Sequence, residues 1–237
     1  MFILAIDTSL GACSVAVTDG DRLLAHAFEV LGRGHAERLV PMVQDVMTTA
    51  ALPFTDLDLI AVTVGPGAFT GVRIGLAAAR GFALAHGVPV VGVTSTEAVA
   101  AALFRGADTA RLPDHLAVLH DARRGEIYMQ VFAHPDPGGI PVASAAATVI
   151  ARDRVADALP PGPLAIAGTG VAILRDGFSA DSNRILIDEP GYPDARDVAW
   201  IAARRGPSPG PVRPLYLRPP DAKLPGAKLP TSSAPGR

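Results

Sequence analysis

Two acidic turns carry the side chains best suited to chemistry. Asp7, Thr8 and Ser9 follow a short apolar segment near the amino terminus, and Asp121 follows a second apolar segment in the middle of the chain. In nucleotide-binding folds, a turn of this kind can present a carboxylate to magnesium and hydroxyl groups to phosphate. Asp, Thr and Ser are equally ordinary turn residues that hydrogen-bond their own backbone, so both interpretations stay open.

Two glycine-rich turns are the other candidates for phosphate or nucleotide binding. The loop at 65–71, GPGAFTG, is not a Walker A loop, because no lysine follows its second glycine at the required spacing. It is not the dinucleotide fingerprint either, because Thr70 occupies the position of the third glycine. The helix that starts here could still hold an anion through free amide groups. The turn containing Gly168 and Gly170 could line a nucleotide, and a turn that only joins strand to helix is the simpler interpretation.

Histidine and cysteine are placed poorly for metal or nucleophilic chemistry. Cys13 is the single cysteine and lies among apolar residues, which is typical of a buried thiol and excludes an internal disulfide. His35 has no second histidine three or four residues away. His115 and His120 are five residues apart across a strand start and should point in opposite directions. We therefore predict no metal site.

Composition describes a globular chain. Its 237 residues are 49% hydrophobic, which is ample for a core. The net charge of −2 gives no electrostatic footprint for binding nucleic acid alone, and the pairs Arg123-Arg124 and Arg204-Arg205 are interpreted as solvated faces. No apolar stretch reaches the length of a membrane span, and the first ten residues lack the basic head of a signal peptide. We expect a cytoplasmic protein.

The element that positions these turns is the stretch 59–95. It contains an apolar strand (59–64), the glycine loop, a helix (about 71–86) and a second strand (88–93), and the fully apolar strands favour a sheet covered on both faces. Arg73 and Arg80 are the only formal charges of the helix, so it is apolar nearly all round, while a sheet can cover one side only. Its small residues at four-residue spacing allow close approach of another backbone. We predict contact with a helix of another subunit, and packing on a helix of the same chain is the alternative.

The remaining elements flank this stretch. Pattern and turn signals predict strands at 2–6, 14–18, 22–30, 116–120, 127–133, 164–167 and 185–187. They predict helices at 35–50, 96–104 and 194–205, with a helix-like segment at 151–159. Thr94 and Glu97 form a plausible capping box for the helix at 96–104. Strand, acidic turn and strand occur near the start of each half of the chain, which indicates two lobes of similar design.

This pattern resembles the actin, sugar-kinase and hexokinase superfamily, and its motifs resemble the TsaB family. The resemblance implies a two-lobed α/β, ribonuclease H-like fold with mixed sheets flanked by helices. It is carried by the motifs Ile6-Asp7-Thr8-Ser9, His35-Ala36-Glu37 with Leu39 and Pro41, 64–75 (VGPGAFTGVRIG), Thr94-Ser95, 121–128 (DARRGEIY) and 214–218 (PLYLR). We expect an amino-terminal lobe at 1–105 with the partner-binding helices and a carboxy-terminal lobe at 106–218. Helix 194–205 could pack back on the first lobe, and 219–237 would be a disordered tail.

The resemblance implies a scaffold subunit that is not the catalyst. Its partner TsaD carries the metal-binding histidines and transfers threonylcarbamoyl to the adenosine beside the anticodon of tRNA. TsaE, an ATPase, joins the pair, TsaC supplies the activated intermediate, and a homodimer could form when TsaD is absent. No cofactor is expected, and ATP would bind weakly at best. The resemblance and the small-residue stripe together place the partner interface at Leu39, Val43, Met47, Gly71, Arg73, Ile74, Gly75, Ala78, Ala79, Phe82 and Ala83.

A self-sufficient kinase or ATPase of the same fold is the alternative. In that case Asp7 and Asp121 would coordinate magnesium, and the Gly168 to Gly170 turn would line the nucleotide. The phosphate turns lack the extra glycines and hydroxyls that active members use, which argues against it. A metal peptidase would need histidines that this sequence does not group together.

Overall fold

The computed structural model describes residues 1–106, 112–178, 182–189, 191–207 and 210–218. The strands within these ranges form one five-stranded and one six-stranded sheet, each flanked by helices. The fold is α/β and two-lobed, as predicted. In the part of the chain that is described, no helix is both long enough and apolar enough to cross a bilayer.

The first sheet is an antiparallel meander extended by two parallel strands, in the order β3-β2-β1-β4-β5. Its strands are β1 (Phe2–Asp7), β2 (Ala12–Asp19), β3 (Arg22–Val30), β4 (Leu59–Thr63) and β5 (Val90–Val93). The helices are α1 (His35–Thr49), α2 (Phe69–His86) and α3 (Ser95–Phe104). The capping box predicted for α3 is confirmed, since Thr94 accepts from the Glu97 amide while the Glu97 side chain accepts from the Thr94 amide.

The second sheet repeats this topology, with the order β11-β10-β6-β7-β8 and β9 also paired with β7. The strands are β6 (His115–Arg123), β7 (Glu126–Ala133), β8 (Val142–Ala143), β9 (Thr148–Ala151), β10 (Leu164–Ala167) and β11 (Arg184–Leu186). The helices are α4 (Val155–Ala158), α5 (Val171–Phe178) and α6 (Ala195–Arg205). The short strands β8 and β9 and the helix α5 were not predicted. The predicted helix-like segment at 151–159 is a 3-10 turn followed by the four-residue α4.

Both faces of the first sheet are covered. Residues such as Ile6 and Val62 face α1 and α2, while alternate residues such as Ile3 and Ala61 face α6, which comes from the end of the chain. In return, α3 packs against β6 and β7 of the second sheet. The two lobes thus exchange a helix, and neither can leave the other without exposing a hydrophobic face.

The start of α6 is fixed by Asp194. Its carboxylate accepts from the backbone amide of Arg196 at 2.8 Å and lies 2.9 Å from His26 Nε2 on β3. Burial works to raise the pKa of this carboxyl, but the hydrogen bonds from His26 and Arg196 outweigh it and hold the pKa at about 2. A charged N-cap therefore attaches α6 to the first sheet.

The small-residue stripe of α2 faces its own chain, which corrects the predicted interface. Gly71, Gly75 and Ala79 are buried, and a Cβ on Gly75 would lie 2.7 Å from Thr8 Oγ1 in the turn after β1. The predicted interface residues Leu39, Val43 and Met47 of α1 are also at most 3% exposed, inside the core beneath the helix. The amphipathic pattern identified these residues as an apolar face but could not show that the face meets this protein's own sheet and turn.

One other sequence prediction, the disordered tail at 219–237, concerns residues outside those described.

Gly71 and Gly81 provide a matched test of this packing. A Cβ at Gly71 would overlap the carbonyl oxygen of Thr8, whereas a Cβ at Gly81 would meet no atom within 4 Å. Gly71→Ala should lower the free energy of unfolding by about 2 kcal/mol or more, through overpacking. Gly81→Ala should raise it by about 1 kcal/mol, since alanine is the better helix former. Urea denaturation of the isolated chain measures both, and equal effects at the two sites would contradict the assigned orientation of α2.

Candidate functional site

A cleft of about 730 Å³ lies between the two lobes. The first lobe contributes the turn after β1 and the glycine loop before α2, and the second lobe contributes the β6–β7 hairpin and the start of α5. Residues 215–218, which follow the last helix, form the remaining wall. The lining includes Leu10, Gly11, Gly67, Ala68, Phe69, Asp121, Arg123, Arg124, Tyr128, Thr169, Ile173, Tyr192, Tyr216 and Arg218.

The first acidic turn is folded into the protein. Asp7 Oδ1 accepts three hydrogen bonds, from the Ser9 amide (3.1 Å), the Ser9 hydroxyl (2.6 Å) and the Thr63 hydroxyl (2.6 Å). The carboxyl group is fully buried, and this burial raises its pKa to about 6. Asp7 is therefore not at the wall of the cleft, and the prediction that it presents a carboxylate to magnesium does not fit its position.

The hydroxyl groups of this turn are also in use. Thr8 Oγ1 donates to the carbonyl oxygen of Gly71 at 2.7 Å, and the Ser9 hydroxyl donates to Asp7. The Ala68 amide donates to the carbonyl oxygen of Ser9 at 2.8 Å, which presses the glycine loop against the turn. Because both hydroxyls have protein acceptors, neither is free to bind a phosphate. The turn therefore fits the other interpretation better, in which Asp7, Thr8 and Ser9 are ordinary turn residues that hydrogen-bond the backbone and nearby side chains.

The second acidic turn does reach the cleft. Asp121 accepts from the backbone amide of Arg123 at 2.8 Å and lies 3.0 Å from the Arg123 guanidinium, so its charge is balanced within the turn. The Asp121 amide donates to Thr169 Oγ1 at 3.0 Å, which joins this turn to the predicted Gly168 to Gly170 turn. Gly170 donates its amide to Leu119 on β6. The two predicted turns are therefore in contact. The hydrogen bonds of their polar groups are made within the protein, to each other and to β6.

His115 and His120 lie five residues apart on β6 and differ in exposure. His115 is exposed at the start of β6, while His120 is fully buried and burial lowers its pKa to about 4. Among the described residues, no group of three or more His, Cys, Asp or Glu side chains is placed to hold a metal ion. Cys13 is buried as expected, and burial raises the pKa of its thiol to about 12.

The arginines and tyrosines of the cleft were not predicted from the sequence. Arg123 (φ 62°) and Arg124 (φ 55°) both adopt the left-handed conformation at the tip of the β6–β7 hairpin, which costs a non-glycine residue about 1–2 kcal/mol. Tyr128, Tyr192 and Tyr216, the three tyrosines of the chain, all line the cleft. Their spacing in the sequence does not indicate that the tyrosines converge, because they lie on a strand, on a loop and in the segment after the last helix.

The C-terminal segment, residues 210–218, connects the lobes across the cleft. In the first lobe, the Leu215 amide donates to the Val64 carbonyl at 2.7 Å and Arg73 Nε donates to the Tyr216 hydroxyl at 2.7 Å. In the second lobe, Arg218 donates to the Ala122 carbonyl at 3.2 Å and pairs with Glu126. This segment therefore forms a wall of the cleft and fixes the spacing of its two sides.

A second surface lies on the opposite side of α1 and α2 from their core. The two helices pack side by side on the same sheet face, so their outward sides form one surface. We call it the helix-pair face; its exposed residues include Val40, Pro41, Gln44, Arg73, Ala77, Arg80, Gly81 and Leu84. Leu84 is 88% exposed and Val40 is 44% exposed. Of the predicted interface residues, Arg73 lies on this face, and Ile74, Ala78, Phe82 and Ala83 are partly exposed beside it.

Repeated β-meander lobes around a central cleft define a two-lobed α/β protein. The chain matches the family model "TsaD: tRNA N6-adenosine threonylcarbamoyltransferase" over residues 29–167. It is 36% identical to the "tRNA threonylcarbamoyladenosine biosynthesis protein TsaB" of Escherichia coli K12, with 92% of this chain and 95% of that protein covered. It is 36% identical to an uncharacterized protein of Mycobacterium tuberculosis H37Rv, with 93% of each covered. The crystal structure of YeaZ from Pseudomonas aeruginosa superimposes with a TM-score of 0.77 at 32% identity, covering 91% of this chain and 99% of that chain. The chain belongs to the TsaB family.

The protonation state of Asp7 in the folded protein can be tested through the pH dependence of the free energy of unfolding. Its pKa is higher in the folded protein (about 6) than its ordinary value of 3.8, so folding takes up a proton, and the Asp7 contribution to stability falls as pH rises from about 4 to about 7. The amide side chain in the Asp7→Asn variant does not titrate. The unfolding free energy of this variant relative to the unsubstituted chain should therefore rise by about 3 kcal/mol over this range.

Urea titrations at several pH values measure this difference. Asp157→Asn, which removes an exposed carboxyl group on α4, is the matched control. A constant difference between Asp7→Asn and the unsubstituted chain would show that Asp7 stays ionised in the folded protein, as a magnesium ligand would.

Proposed function

We propose that this chain acts in the formation of threonylcarbamoyladenosine in tRNA as a non-catalytic partner subunit of a TsaD-type transferase. The observation that carries the proposal is the exposed helix-pair face of a TsaB-family chain. Its relatives in Escherichia coli, Haemophilus influenzae and Bacillus subtilis are named for this biosynthesis. The reaction itself is assigned to TsaD.

The helix-pair face has the properties of a contact surface. Leu84 is almost wholly exposed near the carboxyl end of α2, and covering a leucine contributes roughly 1.5–3 kcal/mol. No heavy atom would lie within 4 Å of a Cβ at Gly81, so a partner helix could approach the backbone of α2 closely there. A stable interface of standard size would bury about 1,200–2,000 Å² in total, which an area centred on two helices can supply.

A TsaD-type protein is a suitable occupant because it shares this architecture. The TsaD family model covers α1, α2, α3 and the first five strands of the second lobe, so such a protein is expected to present an equivalent pair of helices. Two similar helix pairs can pack about an approximate twofold axis as a four-helix arrangement. The same argument allows a second copy of this chain to occupy the face when TsaD is absent.

The absence of a catalytic role is supported by the cleft. The carboxylate of Asp121 is paired within its own turn, and Asp7, Thr8 and Ser9 are directed into the protein. An ATPase or kinase would need these groups on its metal and phosphates. We therefore assign ATP use to other components, with TsaE for ATP hydrolysis and TsaC for the activated intermediate. We also propose that the whole assembly acts on tRNA in the cytoplasm.

Leu84→Glu tests the helix-pair face. A buried, unpaired carboxylate at the centre of an apolar contact is strongly unfavourable, so heterodimer formation with the cognate TsaD should weaken by at least about a hundredfold. Leu84 makes little contact with its own chain, so the variant should stay folded. Size-exclusion chromatography with light scattering measures the complex, and thermal unfolding of the isolated chain measures its stability.

Val142→Glu is the matched control, because Val142 is a 55% exposed apolar residue on β8 of the second lobe. It should leave the complex intact. Equal weakening by both variants, or none by Leu84→Glu, would contradict the proposed face. ATP turnover by the purified chain alone would instead favour the kinase or ATPase alternative.

A further inference from the structure

We infer that the cleft between the lobes is a groove for a proline-containing segment of this same chain, the repeat at 222–230 that follows the C-terminal segment. The repeat reads AKLPGAKLP, so the tetrapeptide AKLP occurs twice. These residues lie outside those that the structure describes, and the inference rests on their sequence and on the lining of the cleft. It does not depend on the proposed partner subunit.

The cleft is lined mainly by aromatic and aliphatic side chains. Aromatic residues make up 5% of the chain, yet all three tyrosines and Phe69 line this cavity of about 730 Å³. The rings of Phe69 and Tyr216 lie 5.2 Å apart and are 49% and 40% exposed. Aliphatic residues complete the lining: Leu10, Ile173, Leu215 and Leu217. Grooves lined by exposed aromatic rings are the usual binding sites for proline-rich segments.

The charged groups that line the cleft are compensated within the protein. The Arg123 guanidinium lies 3.0 Å from the Asp121 carboxylate. Arg218 pairs with Glu126, and Arg124 also has a partner. An occupant therefore gains little from carrying charge of either sign. This lining disfavours a polyanion and favours an uncharged, apolar stretch of chain.

The repeat has the composition that such a cleft favours. Its middle, 224–227 (LPGA), is uncharged, and the flanking Lys223 and Lys228 are long enough to keep their ammonium groups in water. Proline has no N–H, and an extended proline-rich chain makes no internal hydrogen bonds, so its carbonyl oxygens are open to donors. The Tyr192 hydroxyl, which has no hydrogen-bond partner among the described residues, lines the cleft as such a donor.

The position of the C-terminal segment makes this docking intramolecular. Arg218, the last described residue, itself lines the cleft. Leu224 is six residues further along the chain, and a segment of this length spans at most about 22 Å. A short tether gives an effective concentration of the order of millimolar, so weak contacts suffice for occupancy. The cleft would then be filled by this chain and closed to small ligands.

The test is the reactivity of a cysteine introduced into the repeat of the full chain. Ala227→Cys changes a residue between the two Leu-Pro pairs, and Ala234→Cys changes a matched alanine beyond them. The native Cys13 is buried and the pKa of its thiol is about 12, so it does not compete for the reagent. Relative to a free peptide with the same cysteine, Ala227→Cys should react at least about fivefold more slowly, as for an effective concentration several times the dissociation constant. Ala234→Cys should react at the rate of its free peptide.

Two phenylalanines show whether the cleft is the binding site. Phe69 and Phe28 are 49% and 39% exposed; Phe69 lines the cleft, and Phe28 lies on β3 outside it. In the Ala227→Cys chain, Phe69→Ala should remove the protection and Phe28→Ala should preserve it. Leu224→Ser with Leu229→Ser should also remove it, because the repeat loses its apolar side chains. Thermal unfolding measures the stability of each variant, and the leucine variant, which leaves the cleft unaltered, decides the question if Phe69→Ala is unstable.

Three outcomes would overturn the inference. Equal rates for Ala227→Cys and Ala234→Cys, each relative to its free peptide, would show that the repeat does not dock. Protection that persists in Phe69→Ala, or that Phe28→Ala removes equally, would mean that the repeat binds elsewhere. Protection that rises with protein concentration would show that a second copy supplies the repeat. None of these measurements involves TsaD, so each outcome leaves the proposed function unaffected.

Discussion

The structure depends on the close packing of the turn after β1 against the glycine loop and the first turn of α2. The carbonyl oxygens of Thr8 and Ser9 lie where side chains at Gly71 and Gly67 would have to be, so only glycine fits at these positions. The hydrogen bonds from Ala68 to Ser9 and from Thr8 to Gly71 hold the two elements together. This contact engages the Thr8 hydroxyl and the Ala68 amide, groups of the kind that can bind a phosphate when they are free. It also fixes the rotation of α2, so that the small-residue stripe is buried and the side with Leu84 faces outward.

The exchange of helices between the lobes keeps the cleft in place. Because α6 covers the first sheet and α3 covers the second, a rotation of one lobe against the other would strain both hydrophobic contacts. The C-terminal segment adds a third connection, since Leu215 bonds to the first lobe and Arg218 to the second. The cleft is therefore built from fixed walls, and the groups free to adjust are long side chains such as Arg123 at its mouth.

Much of this fold could be predicted from the sequence because its signals are local. Apolar runs such as 59–63 and 164–167 and the Thr94 capping box predict their elements to within a few residues. Helix α5 was missed because it is short and follows a Gly-Thr-Gly turn that looked like a loop end. The site was predicted less well, since it depends on rotation and long-range contact. Periodicity showed that α2 is apolar on several sides, but only the position of Thr8 decides which side is buried, and three distant tyrosines converge only through the tertiary fold.

The helix-pair face and the cleft meet on α2 without coinciding. Phe69 at its amino end borders the cleft, while Leu84 lies fifteen residues further on, about 22 Å along an α-helix. A subunit seated around Leu84, Gly81 and Val40 would therefore leave the tyrosines and the β6–β7 hairpin uncovered. Arg73 lies between the two regions, exposed on the helix-pair face and stacked on Phe69 at the cleft. The helix-pair face and the cleft are therefore separate surfaces that share α2, with Arg73 beside both.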